Sequence, residues 1–183
     1  MTNLEIRQLQ NIQNEDNVVE GYALKFGKPS EDLGGFIEYI DRSALDGVDM
    51  SDVRLFVDHD PAKLLGRTKS GTLKLEVDEV GLKFRAVLPD TTVGNDALAL
   101  VKRGDLSQCS FGFTVADDVW TDGQDMLVRT IKQIGKLMEI SLVSIPAYAD
   151  TDVSVAQRSL EQAQTELEKR KVQTELDLLG LFK

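Results

Sequence analysis

From about residue 4 to residue 150 the chain reads as short runs in which apolar and polar side chains alternate, broken by Gly, Asp and Pro. Alternation with a period of two, in runs rich in β-branched and aromatic residues, predicts strands with one buried face. The runs are Leu4–Leu9, Val18–Phe26, Phe36–Ile40, Val53–Val57, Thr72–Val77, Leu82–Leu88, Ser107–Val115, Met126–Ile134 and Lys136–Ile145. Asp78-Glu79-Val80-Gly81 and Asp122-Gly123 have the composition of hairpin turns between such strands. One internal segment follows helical logic: Asn95 as a cap, Ala97, Leu98, Leu100 and Val101 as an apolar face, Lys102 and Arg103 in the last turn, and Gly104 as the stop. A short turn is expected around Ser43–Gly47. Many strands with one clear helix predict a mainly β or α+β domain, a barrel or a strongly curved sheet, and no alternating βαβ units.

After Pro146 the pattern changes. Residues Ala147–Val155 read as a connector, and from Gln157 the chain is rich in Gln, Glu, Leu, Lys and Arg. Ala156, Leu160, Ala163 and Leu167 form one helical stripe, and Val172, Leu176 and Leu179 form a second that is out of heptad register with it. The expected division is a domain over residues 1–150 and a connector with a helical tail over 151–183. Two readings of that tail stand side by side: a helix docked on its own core, and a detachable helix that binds a partner or is trimmed off.

Composition narrows the chemistry. The 183 residues carry 21 basic and 31 acidic side chains, a net charge of −10. That balance argues against a broad nucleic-acid-binding surface, which needs clustered Lys and Arg. No run approaches the roughly 20 apolar residues that span a bilayer, and the first residues lack the basic and then apolar pattern of a signal peptide. Cys109 is the only cysteine, so no intrachain disulfide forms. A reducing, cytoplasm-like compartment is the expectation. His59 is the only histidine, which excludes multi-histidine metal sites and makes His59 the only imidazole available for catalysis.

In Ser107–Val115, strand parity puts Cys109, Phe111, Phe113 and Val115 on one apolar face and Ser110, Gly112 and Thr114 on the other. Ser110 can then stand open to a substrate, or be an ordinary solvent-facing serine. The missing side chain of Gly112 lets another backbone approach, and Cys109 falls with the buried set as inert packing. Val53–Val57 leads into Asp58-His59-Asp60-Pro61, where Asp60-Pro61 marks a turn and His59 ends a strand. His59 can be a general base for a serine, a solvated imidazole between two carboxylates, or one ligand of a metal site with Asp58 and Asp60. Glu139 is a lone acid in an otherwise apolar strand, Lys136–Ile145, where a carboxylate is costly unless paired. It is the leading carboxylate to orient His59, and the alternatives are Asp58, Asp60, Asp105 or a water-facing Glu139 at an edge.

Several segments together resemble the tailed-bacteriophage prohead maturation protease family. They are Glu20-Gly21-Tyr22-Ala23 with Phe26, Val57-Asp58-His59-Asp60, Leu65-Gly66-Arg67-Thr68, Gly71-Thr72-Leu73 and Asp78-Glu79-Val80-Gly81-Leu82. Arg103-Gly104-Asp105-Leu106, Ser110-Phe111-Gly112-Phe113, Glu139-Ile140-Ser141-Leu142-Val143 and Pro146-Ala147-Tyr148 complete them, in order over residues 18 to 151.

The resemblance implies a herpesvirus-assemblin-like β-barrel with flanking helices. It also implies a serine endopeptidase enclosed in the procapsid in the host cytoplasm, cutting scaffold or the scaffolding region of the major capsid protein, and itself. Carried over by motif, Ser110 is the nucleophile, His59 the general base and Glu139 the third member. Herpesvirus relatives use a second histidine there, which this chain lacks. No metal or organic cofactor is implied. The partners are the capsid and scaffold proteins, with self-association, and neither nucleic acid nor membrane. Backbone amides around Ser144–Ala147, or Arg67 or Arg103, are candidates for the oxyanion site. The competing functions are a catalytically silent assembly factor with the same fold, a metal-dependent hydrolase around Asp58-His59-Asp60, and a plain β binding module.

Overall fold

The computed structural model describes residues 17–144, 164–165 and 167–174. The elements run β1 (Val18–Lys25), β2 (Phe36–Ile40), β3 (Arg54–Val57), β4 (Asp60–Arg67), a 3₁₀ turn (Thr68–Ser70), β5 (Leu73–Val77), β6 (Gly81–Val87), α1 (Thr92–Arg103), β7 (Gln108–Asp122) and β8 (Leu127–Val143). The fold is mainly β, as the alternation predicts. Residues 164–165 and 167–174 are helical, within the region where helical stripes are expected. The candidate strand Leu4–Leu9 and the connector after Pro146 lie outside the described residues. No helix among the described residues is long and apolar enough to cross a membrane.

The strands form two sheets rather than the expected barrel. One has the order β1-β6-β5; the other has the order β2-β8-β3-β4, with β7 also paired to β8. The ladder is interrupted between β4 and β5. There the 3₁₀ turn, ended by Gly71 at φ 74°, carries the chain out of one sheet and into the other.

The chain divides into two compact units. Residues 17–28, 40–118 and 131–144 make the first; residues 29–39 and 119–130, with the described part of 148–183, make the second. The core of the first unit draws on both sheets and on α1: Val19, Leu24, Leu73, Leu82 and Phe84 from one sheet, Leu55, Leu65, Ile140 and Leu142 from the other, and Ala97 and Val101 from the helix. In the second unit Glu38 and Arg129 form a buried ion pair at 3.1 Å, with the Arg129 guanidinium 5.4 Å from the Trp120 ring. Lys171 of the C-terminal helical residues pairs with Asp122 at 2.8 Å.

Several expectations shift, each for a local reason. Met126–Ile134 and Lys136–Ile145 are one strand, β8, because Gly135 continues the ladder beside Thr114 instead of ending it. β7 runs on past Val115 to Asp122, since pairing with β8 sustains its polar half. β4 is absent from the pattern because Asp60–Leu64 is half-exposed to exposed and begins with Asp-Pro, which resembles a turn. A proline at the second position of an edge strand costs little, as its missing N–H can face away from the ladder. In α1 the cap is Thr91, whose Oγ1 accepts from the Gly94 N–H at 3.2 Å; Asn95 lies inside the helix and donates to Asp90. Gly104 at φ 85° ends the helix as expected. The turns at Ser43–Gly47 and Asp78–Gly81 form, and the one expected at Asp122-Gly123 instead spans Gly123–Met126, with Asp122 still in β7.

Gly94→Ala adds helix propensity worth about 1 kcal/mol. However, a Cβ at this position falls 2.0 Å from the Pro89 carbonyl oxygen, backbone that cannot step aside. The substitution therefore lowers the melting temperature, and a rise would contradict this packing. At the other end of β3, Asp52 takes Nε and Nη2 of Arg67 at 2.5 and 2.8 Å. The Arg67 hydrogen bonds hold its carboxyl at about 2, below the ordinary 3.8. A depressed carboxyl stabilises the fold above its ordinary value and loses that contribution as pH falls. Wild-type stability should drop between about pH 4 and pH 2, and Asp52→Asn should flatten part of that slope in acid denaturation curves.

Candidate active site

β3 lies parallel to β8, with Arg54 opposite Glu139, Phe56 opposite Ser141 and Val57 opposite Leu142. β3 then turns into β4 through only two residues, Asp58 and His59, because Val57 already pairs with Asp60. Both central residues are left-handed, at φ 48° and 56°. This is the geometry that a two-residue hairpin demands and that glycine usually supplies. For L side chains it costs ~1–2 kcal/mol per residue, although Asp and His tolerate it better than most. The turn is held down on β8 by the Asp58 N–H to the Leu142 carbonyl at 2.9 Å, the His59 N–H to Ser141 Oγ at 3.3 Å, and the Ser144 N–H to Asp58 Oδ1 at 3.2 Å. The turn is thus at Asp58-His59, not at Asp60-Pro61, and His59 sits inside it rather than at a strand end.

The turn delivers the imidazole onto Glu139. His59 Nδ1 lies 2.8 Å from Glu139 Oε1, joining residues 80 apart in sequence. The other carboxylate oxygen, Oε2, accepts the Ser141 hydroxyl at 2.6 Å. The His59 side chain is 24% exposed and that of Glu139 14% exposed. Glu139 is therefore not a water-facing edge acid. It is partly desolvated and pays for that burial with one donor on each oxygen.

β7 closes the other side. A Cβ built on Gly112 would stand 2.6 Å from Glu139 Oε1 and 3.2 Å from its Cγ. The expected close approach at Gly112 is real, and its partner is this carboxylate rather than a backbone. By alternation Ser110 shares the face of Gly112, and it is half-buried. Cys109, Phe111 and Phe113 pack against the core as parity predicts, whereas Val115 is exposed. Burial first, then the Glu139 charge, push the Cys109 thiol well above its ordinary range, so it is a packed and unreactive group.

The remaining candidates lie elsewhere or are engaged. Arg67 is clamped on Asp52, and Arg103 pairs with Asp105 on the surface. Asp60 Oδ1 accepts from the Ala62 N–H and Oδ2 faces Lys63, while Asp58 holds the Ser144 amide. Asp58 is thus used in tying the turn to Ser144, and Asp60 in contacts within the first residues of β4. Among the described residues no group of three or more His, Cys, Asp and Glu side chains is placed to hold a metal ion. Ser144 spends its amide on Asp58, and residues 145–147 lie outside the described residues. Ser141 is the member that sequence reasoning passed over. Its signal was the Glu-x-Ser spacing, which puts both side chains on one face of a strand.

The structure thus brings His59 and Glu139 together, with the strand that carries Ser110 packed against the carboxylate at Gly112. The family model of the caudovirus prohead serine protease matches residues 2–166. The chain belongs to that family, a group of serine proteases of phage capsid maturation. No curated protein and no solved structure matches it.

Gly112→Ala tests the contact between β7 and the His59–Glu139 pair, hereafter the dyad. The added methyl meets the movable end of Glu139, so the fold should survive with a modest loss of stability while the carboxylate is displaced from His59. A crystal structure of the variant should show the His59–Glu139 hydrogen bond broken or lengthened; an unchanged 2.8 Å contact would contradict the packing described.

Proposed function

We propose that the chain is a maturation endopeptidase in which Ser110 is the nucleophile, His59 the general base and Glu139 the group that orients it. The observation that carries this reading is the 2.8 Å hydrogen bond between His59 and Glu139 beside Gly112, two residues from Ser110 on the same strand face. With the Nδ1 proton donated to Glu139, Nε2 is the basic nitrogen of the ring. Nε2 takes the Ser110 proton as Oγ attacks the scissile carbonyl, and returns it to the leaving amine. Water then hydrolyses the acyl-enzyme by the same base. Glu139 holds the tautomer and stabilises the imidazolium.

The substrates on this reading are scaffold or the scaffolding region of the major capsid protein, and the enzyme itself, cut inside the procapsid in the host cytoplasm. The division into a catalytic domain over 1–150 and a tail over 151–183 that targets the enzyme belongs to the same proposal. Self-cleavage would fall in the connector Ala149–Arg158, outside the described residues. The acidic balance of the chain fits protein partners rather than packaged DNA.

Co-expression with the virus's own capsid and scaffold proteins, followed by intact mass spectrometry, tests the reading. Wild type should yield shortened capsid or scaffold chains, and Ser110→Ala and His59→Ala should leave them full length, in keeping with losses of roughly 10⁴-fold or more when such groups are removed. Glu139→Gln should slow cleavage by about 10³- to 10⁴-fold. Cleavage that persists in Ser110→Ala would overturn the assignment, and identical full-length masses throughout would favour a silent assembly factor.

A further inference from the structure

Ser141 is fully buried, and its hydroxyl touches both halves of the dyad. It donates to Glu139 Oε2 at 2.6 Å and accepts the His59 backbone N–H at 3.3 Å. We propose that Ser141 is a positioning residue, whose hydroxyl fixes the plane of the Glu139 carboxylate and the seat of the His59 turn together. The proposal rests on the reading of Glu139 as the partner of the general base.

A carboxylate held through a single oxygen can rotate about its terminal torsion, which is broad and weakly staggered. Glu139 Oε1 must meet Nδ1 in line, and anchoring Oε2 removes the rotation that would take it away. The same oxygen atom of Ser141 receives the N–H of the residue whose left-handed backbone is strained, so one side chain couples ring position to carboxylate orientation. Ser141 and Glu139 lie two apart on β8, which makes their mutual geometry as rigid as the strand. Burial and the bond to Glu139 equally exclude Ser141 as a second nucleophile, since its proton is committed to a carboxylate and its oxygen faces backbone.

The test uses the whole, untagged chain. Because His59 is the only histidine, the imidazole signals of a ¹⁵N-histidine-labelled sample belong to it without assignment. A fluorophosphonate probe, which phosphonylates an activated serine with loss of fluoride, reads the reactivity of Ser110 without a known substrate. Ser141→Ala should label about 10- to 100-fold more slowly, the range expected for losing a hydrogen bond to a charged group. Its downfield Nδ1 proton signal should move upfield and broaden as the ring loses its fixed acceptor. Ser141→Cys keeps the volume but is a weak donor; it should show the same changes in smaller measure and serves if the alanine variant does not fold. Unaltered ring signals and labelling in a folded variant would overturn the proposal, and so would a lowered melting temperature with both readouts unchanged. Glu139→Gln separates the two readings: if it leaves the Nδ1 signal and the labelling rate intact, the reading of Glu139 fails, whereas a loss there with no effect at Ser141 sinks the positioning role alone.

Discussion

The parallel pairing of Arg54–Val57 with Glu139–Leu142 sets everything that surrounds the site. A parallel ladder cannot slip by one residue without turning its buried side chains to the opposite face, and here Leu55, Ile140 and Leu142 are all fully buried. That burial fixes the level of Glu139 and Ser141 relative to the end of β3. The two-residue turn then has no length to spare, so His59 lands over the carboxylate.

Such a turn is expensive, and the cost is met locally. Two left-handed L residues and a partly desolvated carboxylate each work against folding by about 1 kcal/mol or more. Against them stand two hydrogen bonds from the turn to β8, a third from Ser144 just past it, and two donors on Glu139. Strain of this kind persists where its surroundings over-determine it. Gly112 adds the negative condition, because any side chain there would occupy the space of Oε1. The serine strand can therefore lie against the dyad only by having nothing at that position.

Much of the fold was legible because alternation reports burial directly. β2 matched residue for residue, and β1, β3, β5 and β6 within a residue or two. β4 was not legible because its first residues are half-exposed to exposed and carry no alternation to read. The unity of β8 was hidden by Gly135, a residue that breaks an isolated strand but is tolerated in one paired on both edges. The helix stop at Gly104 was readable and its start was not, since Thr91 and Asn95 are both good caps and only the approach of Gly94 to Pro89 selects between them.

Sequence alone determined the inventory: one histidine, one acid in an apolar strand, and a serine and a glycine on one face of another strand. It also determined strand parity, because period two is a property of the extended backbone. Tertiary structure decided which oxygen meets which nitrogen across 80 residues, that the sheets stay open, and that Ser141 joins the group. Those outcomes depend on which strands pair and in what register. That choice is made by the shared core, whose contacts are between residues distant in the chain and so leave no local pattern to read.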